Sequence, residues 1–260
     1  MNLSLEGKRA LVCGASQGIG LAAAIELAAL GASVTLVARN ESRLKSAREA
    51  LPGNGDHDYI CIDFSNTQGL KEKIDRHFAG KGHVHILVNN TGGPPGGPIA
   101  EAQPDEFVQA FNNHLICNHL LVQAVMSGMK QSGYGRIINI ISTSVKQPLK
   151  GLGVSNTIRA AVANWAKTLS LELAPFGVTV NNVLPGATRT QRLTSLLESK
   201  SVKTGHSIES LETEMKAEIP MGRFAGAEEI AAAVAFLASP AASYITGINV
   251  TVDGGRTGCL

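Results

Sequence analysis

Ser142 is followed 13 positions later by Ser155, and Arg159 lies four residues beyond that. Four residues make about one turn of an α-helix, so Ser155 and Arg159 share a face. The two serine hydroxyls can donate to, or accept from, a polar substrate group. The Arg159 guanidinium stays protonated, so it can bind hydroxyls and stabilise a developing negative oxygen. Neither serine nor arginine is a good proton donor at neutral pH. A fourth candidate, His114, falls where Phe107, Phe111, Leu115, Leu121, Val122, Val125 and Met129 recur at roughly helical spacing. Its imidazole titrates near neutrality and can pass a proton directly or through water. The alternative is a histidine packed in its helix against a backbone partner.

No phenol is an obvious substitute donor. Tyr59 belongs to the third strand-like run, Tyr134 precedes the fifth and Tyr244 sits in the last turn. Lys146 and Lys150 lie between Ser142 and Ser155, where solvated loop lysines are the default. No metal is expected: His83 and His85 straddle a loop-to-strand boundary, and His114 and His119 stand five apart on a helix. The four cysteines, Cys13, Cys61, Cys117 and Cys259, show no ligand spacing, and the first three lie in apolar runs that suggest core.

The elements that must carry these residues alternate. Strand-like runs at 9–13, 33–38, 59–62, 86–89, 136–141, 178–184 and 248–252 are separated by helix-like stretches. That alternation predicts a parallel sheet with helices on both faces, a doubly wound α/β fold. The first helix is predicted at 18–30, ended by Gly31 at positive φ. Gly/Pro-rich segments at 92–98 and at Pro185 and Gly186 each follow a strand, where open α/β sheets bind ligands. The charged stretch 192–219 contains Leu193, Leu196, Leu197, Leu211 and Met215 at amphipathic spacing. It predicts either a lid over the ligand crevice, at about 191–220, or a surface loop.

Gly14, Gly18 and Gly20 fall between the first strand and first helix, within CGASQGIG. Glycines there let backbone approach a pyrophosphate at a helix amino terminus; a tight strand-to-helix turn is the plainer alternative. Strand two ends in Ala38 and Arg39, with no carboxylate to take both ribose hydroxyls. A guanidinium in that position favours NADP(H) over NAD(H), unless Arg39 only starts a solvated turn with Asn40, Glu41 and Arg43.

The glycine spacing, Asp63 after strand three, Asn89-Asn90-Thr91-Gly92, GRIINIIS ending at Ser142, Asn181 to Gly186 with Thr190, and YITGxxxxVDGG occur in one order over nearly the whole chain. In these motifs the sequence resembles the short-chain dehydrogenase/reductase family, its 3-oxoacyl-carrier-protein reductase branch in particular. The resemblance implies a single Rossmann domain over 1–260 with a seven-stranded parallel sheet. It implies a cofactor site of Gly14, Ser16, Gln17, Gly18, Ile19, Gly20, Arg39, Asp63, Phe64, Asn90, Thr91, Gly92, Arg159, Pro185, Gly186, Thr188 and Thr190. Asp63 and Phe64 are expected to border the adenine, Asn90 to Gly92 the adjoining ribose, and Thr190 the nicotinamide amide. Asp63 as a turn former before Ser65 and Asn66 is the other reading. The family uses serine, tyrosine and lysine with a helping asparagine; here those positions hold Ser142, Ser155, Arg159 and His114, and Thr91 stands where alanine is usual.

The implied activity is NADP(H)-dependent reduction of a carbonyl, with a 3-oxoacyl thioester among the candidates, or oxidation of the alcohol. A catalytically silent NADP(H)-binding regulator or scaffold is the other function class. The resemblance also implies a homotetramer formed through helices at 107–130 and 155–175 and the carboxyl-terminal strand. At 260 residues, 44% hydrophobic and a formal charge of +2, the chain supports one core and no nucleic-acid surface. The segment 1–9 has no signal-peptide run, and no later run approaches the ~20 apolar residues of a membrane span. A cytoplasmic protein with no membrane partner is expected.

Overall fold

The computed structural model describes residues 1–259. Seven parallel strands, β1 (Arg9–Cys13), β2 (Ser33–Ala38), β3 (Asp58–Cys61), β4 (Ile86–Asn89), β5 (Gly135–Ile140), β6 (Val178–Pro185) and β7 (Asn249–Val252), form one sheet in the order β3-β2-β1-β4-β5-β6-β7. All seven predicted strands are present, and no end moves by more than one residue. The chain runs outward from β1 to β3, returns to β4 beside β1, and continues in the other direction. In a sheet of this order the ligand crevice lies at the carboxyl ends of the strands where the order reverses.

Side-chain alternation along each strand divides the core in two. Ala10, Val12, Val34 and Leu36 face one cluster with Ala23, Ala24 and Leu27 of α1 (Gly18–Ala29) and Ile230, Ala231 and Val234 of α9 (Ala227–Ala238). Leu11, Cys13 and Val37 face the other, with Ile74 of α3 (Leu70–Phe78), Leu121 and Val125 of α5 (Cys117–Ser132), and Ala166 and Leu169 of α6 (Gly153–Leu173). The many alanines of α1 and α9 let these helices pack closely. Gly31 ends the first helix region at φ +98, as predicted. Helix α2 (Glu41–Glu49) completes the cover of the sheet's β2 side.

Two expectations are corrected. The helical run 107–129 is not continuous: α4 (Pro104–Phe111) and α5 are joined by a π turn at Asn112–Ile116. Cys61 is exposed while Cys13 and Cys117 are buried, because β3 is an edge strand of the sheet.

Across four strands three buried asparagines and exposed Asn249 form a chain. Asn89 donates to Asn139 (2.9 Å), Asn139 to Asn182 (2.9 Å) and Asn182 to Asn249 (2.8 Å), each pair in register across β4, β5, β6 and β7. This cross-strand row lies near the carboxyl ends of β4 and β5, directly beneath the crevice. The segment expected as lid or loop folds as two helices, α7 (Gln191–Thr204) and α8 (Ile208–Ala217), that bury Leu197 and Leu211. Among the described residues, no helix is long and apolar enough to cross a membrane.

Candidate active site

The turn after β1 is built around its glycines. Gly14 and Gly18 adopt φ of +59 and +58. A Cβ on Gly20 would lie 2.3 Å from the Gly14 carbonyl oxygen, so no side chain fits there. The Asn90 side-chain amide donates to the carbonyls of Cys13 (3.3 Å) and Gly14 (3.4 Å), tying the loop after β4 to this turn. Thus the side chain of Asn90, expected at a ribose, braces the glycine turn.

Helix α1 starts with Gln17 extended, with no side-chain cap and no acidic residue in the first turn. Its leading N–H groups and the positive end of its dipole remain available to an anion. Ser16 is half-buried beside them, and Ile19 packs against the first core cluster. These features fit the pyrophosphate of a dinucleotide.

At the end of β2, Arg39 is exposed, with Asn40 capping α2 after it. The carboxylate of Asp63 is held below its ordinary range, first by hydrogen bonding from Ser65 and then by the nearby Arg39 charge. Asp63 Oδ1 accepts from Ser65 N at 2.9 Å, the turn geometry that was its alternative reading. Phe64 is half-buried against the second core cluster. Arg43, on the first turn of α2, donates to Gln17 Oε1 at 2.7 Å, so a second guanidinium stands at this end of the crevice. In sequence it was visible only as part of a charged turn.

The other end of the crevice gathers residues from β5, α6, the π turn and α7. Ser142 follows β5, and its Oγ accepts from Ser144 N at 3.1 Å. Ser155 and Arg159 lie on α6. Ser155 is half-buried, and its hydroxyl makes no hydrogen bond among the described residues. Arg159 is 8% exposed and donates from Nη1 to Ile140 O at 3.0 Å. Burial, and then the charge of Arg192, lower its pKa to about 10, which leaves it protonated at neutral pH.

His114 is 2% exposed, and its Nδ1 lies 2.5 Å from Thr91 Oγ1. Burial first, then Arg159 and Arg192, push its pKa down to about 2, so it is a neutral imidazole. The partner it finds is a side chain from the β4 loop and not its own helix backbone. Gly92, next to Thr91, is exposed.

The loop after β6 completes the arrangement. Gly186 donates to Val252 O at 2.9 Å, and a Cβ on it would meet Asp253 Cα at 2.7 Å. Pro185 ends β6, and buried Thr188 donates to Gly186 O at 3.1 Å. Thr190 caps α7 by accepting from Leu193 N, and its methyl group lies over Gly18. Arg192, which the sequence placed only in a possible lid, donates to Pro94 O at 2.6 Å and so reaches across to the β4 loop. The three tyrosines are elsewhere: Tyr59 bonds Glu41, Tyr134 bonds Ala238 O, and Tyr244 is fully exposed.

A doubly wound sheet, an uncapped glycine turn at its switch point and a serine-arginine crevice beyond it define a dinucleotide-binding α/β protein. Residues 14–257 match the family model described as enoyl-(acyl carrier protein) reductase. The chain belongs to the short-chain dehydrogenase/reductase family. It is 36% identical over 255 residues to the 3-oxoacyl-[acyl-carrier-protein] reductase FabG of Salmonella typhimurium, covering 97% of this chain and 98% of that protein. It is 32% identical over 254 residues to the NADPH-dependent reductase BacG of Bacillus subtilis, covering 95% of this chain and 97% of that one. Among solved structures, L-sorbose reductase from Gluconobacter frateurii, complexed with NADPH and L-sorbose, superposes with a TM-score of 0.92 at 30% identity and full coverage of both chains.

Proposed function

We propose that this protein is an NADP(H)-dependent oxidoreductase that reduces a carbonyl to an alcohol, or runs the reverse reaction. The observation that carries the reading is the uncapped glycine turn braced by Asn90, in one crevice with Ser142 and Arg159. The NADPH named for BacG and for the L-sorbose reductase complex supports the same cofactor here.

The residues that would hold the cofactor are Gly14, Ser16, Gln17, Gly18, Ile19 and Gly20 at the pyrophosphate, and Arg39 with Arg43 at a 2′-phosphate. Asp63, Phe64, Thr91 and Gly92 belong to its adenosine side; Arg159, Pro185, Gly186, Thr188 and Thr190 belong to its nicotinamide side. Bound there, NADPH supplies a hydride. Ser142 donates a hydrogen bond to the substrate carbonyl oxygen, and Arg159 stabilises the charge that develops on it. With Nδ1 occupied by Thr91, His114 has only Nε2 left to exchange a proton, and as a neutral imidazole it is a weak acid. In this reading water completes proton transfer, either through His114 Nε2 or through the Ser155 hydroxyl, which makes no hydrogen bond among the described residues.

A silent cofactor-binding protein is the second reading, favoured by one observation: no phenol stands in the crevice. NADPH oxidation by purified protein, measured against a carbonyl panel that includes β-ketoacyl thioesters with cofactor binding followed in the same samples, separates the two. Turnover abolished by Ser142→Ala supports the reductase; tight NADPH binding without turnover supports the silent protein. For quaternary structure we favour a homotetramer, supported by exposed Val108 and Phe111 on α4 and Leu171 on α6. A cytoplasmic location and a small-molecule partner without nucleic acid follow from the same reading.

A further inference from the structure

Arg159 and Arg192 enter the crevice from different elements, α6 and the first turn of α7, and converge on the loop after β4. A methyl group built on Gly93 would lie 3.6 Å from Arg159 Nη2 and 3.5 Å from Arg192 Nη2. The absence of a side chain at Gly93 keeps the space between the two guanidiniums open.

Each guanidinium makes one anchoring bond to a main-chain carbonyl, Arg159 to Ile140 and Arg192 to Pro94. Among the described residues, neither forms an ion pair; every paired arginine of the chain, Arg9, Arg223 and Arg256, lies elsewhere. Both charges also act on the buried His114, which places all three groups in one field. Two guanidiniums this close, one of them buried, are unfavourable without a compensating anion.

We propose that Arg159 and Arg192 form a carboxylate clamp, so that the substrate of this crevice is an oxo acid or the corresponding hydroxy acid. The proposal rests on the reductase reading and names its substrate class. The planar donor forks suit a carboxylate, which can take paired hydrogen bonds from them. The pyrophosphate has its own place at the α1 amino terminus. Because Arg192 rides on α7, a carboxylate bridging the pair also ties this helix down over the crevice.

The test is calorimetric titration of the protein, with and without saturating NADP+, with benzoylformate, acetoacetate and levulinate, each paired with its methyl ester. The expected result is that at least one acid binds about tenfold or more tightly than its ester. Arg192→Gln removes that preference and leaves NADP+ affinity unchanged, and Arg192→Lys restores part of it. Arg192 is exposed, so these variants are expected to fold, which their far-ultraviolet circular dichroism checks. Equal binding of acid and ester in every pair overturns the clamp, as does a preference that survives in Arg192→Gln. Failure of NADP+ to bind would instead count against the cofactor reading, and the titrations without NADP+ still decide the clamp.

Discussion

Thr91 Oγ1 and His114 Nδ1 lie 2.5 Å apart, although the two residues are 23 positions apart in sequence. The resemblance leads one to expect alanine and asparagine at these two positions, and the residues that stand there are in contact. The hydroxyl supplies the partner that a buried ring nitrogen requires. Thr91→Ala is expected to destabilise the protein by about 1–3 kcal/mol, the cost of an unsatisfied buried polar group. Combining it with His114→Asn is expected to cost clearly less than the sum of the two single changes. Urea denaturation of the four proteins of this cycle measures the coupling, and additivity would show that the contact contributes nothing.

The same histidine predicts a pH dependence. Its folded pKa, pushed down to about 2, lies below the ordinary 6.5 that it regains on unfolding. Between those values the unfolded chain binds a proton that the folded chain refuses. Stability therefore falls as pH drops below 6.5, and above 6.5 this group has no effect. At about 1.4 kcal/mol per pH unit, the wild type is expected to lose roughly 2 kcal/mol more than His114→Asn between pH 7.5 and 5.0. Equal losses, measured by urea midpoints at both pH values, would mean that the ring is protonated in the folded state.

Arg39 stands exposed where β2 ends, without an ion pair among the described residues, and Arg43 reaches Gln17 beside it. A 2′-phosphate placed there gains charge-assisted bonds that a 2′-hydroxyl cannot match. Arg39→Ala is expected to weaken NADPH binding about 10- to 100-fold while changing NADH binding little. Fluorescence titration with both cofactors reads the difference, and equal losses would remove Arg39 from the phosphate site.

Two glycines near the crevice make opposite demands. A Cβ on Gly20 would strike the Gly14 carbonyl oxygen at 2.3 Å and the Asn90 amide at 2.7 Å, whereas a Cβ on Gly92 meets nothing within 4 Å. Gly20→Ala is expected to disturb the turn itself, lowering both the thermal midpoint and NADPH affinity, the latter by about tenfold or more. Gly92→Ala is expected to leave the thermal midpoint unchanged, so any loss of NADPH binding in that variant reports how closely the ligand approaches. A Gly20→Ala protein with normal stability and affinity would contradict the packing around Asn90.

The strands were legible because parallel strands buried on both faces are written as short apolar runs, and the glycine turn because its spacing is local. Cys61 was misplaced because nothing in its run shows that β3 is an edge. The π turn around His114 escaped because one extra residue shifts the helical phase too little to disturb the apolar spacing of residues 107–129. Ser142, Ser155 and Arg159 were singled out by their spacing and by the motifs around them. Arg192 was not, since its reach to Pro94 depends on how two helices fold back over the sheet. The asparagine row was equally hidden: Asn89, Asn139, Asn182 and Asn249 become neighbours only when four strands take their register.

That row is also where a single substitution should matter most to the platform under the crevice. Asn139 is fully buried and is both acceptor from Asn89 and donor to Asn182. Asn139→Ala leaves an amide on one side and a carbonyl on the other without partners, and the Asn89 carbonyl oxygen already has none. The expected cost is about 2–4 kcal/mol, several times that of a surface substitution. Because Asn89 leads directly into Asn90, which braces the glycine turn, NADPH affinity is expected to fall together with stability. Guanidinium denaturation and cofactor titration on Asn139→Ala measure both; a loss of stability with unchanged affinity would show that the row supports the sheet but does not position the cofactor turn.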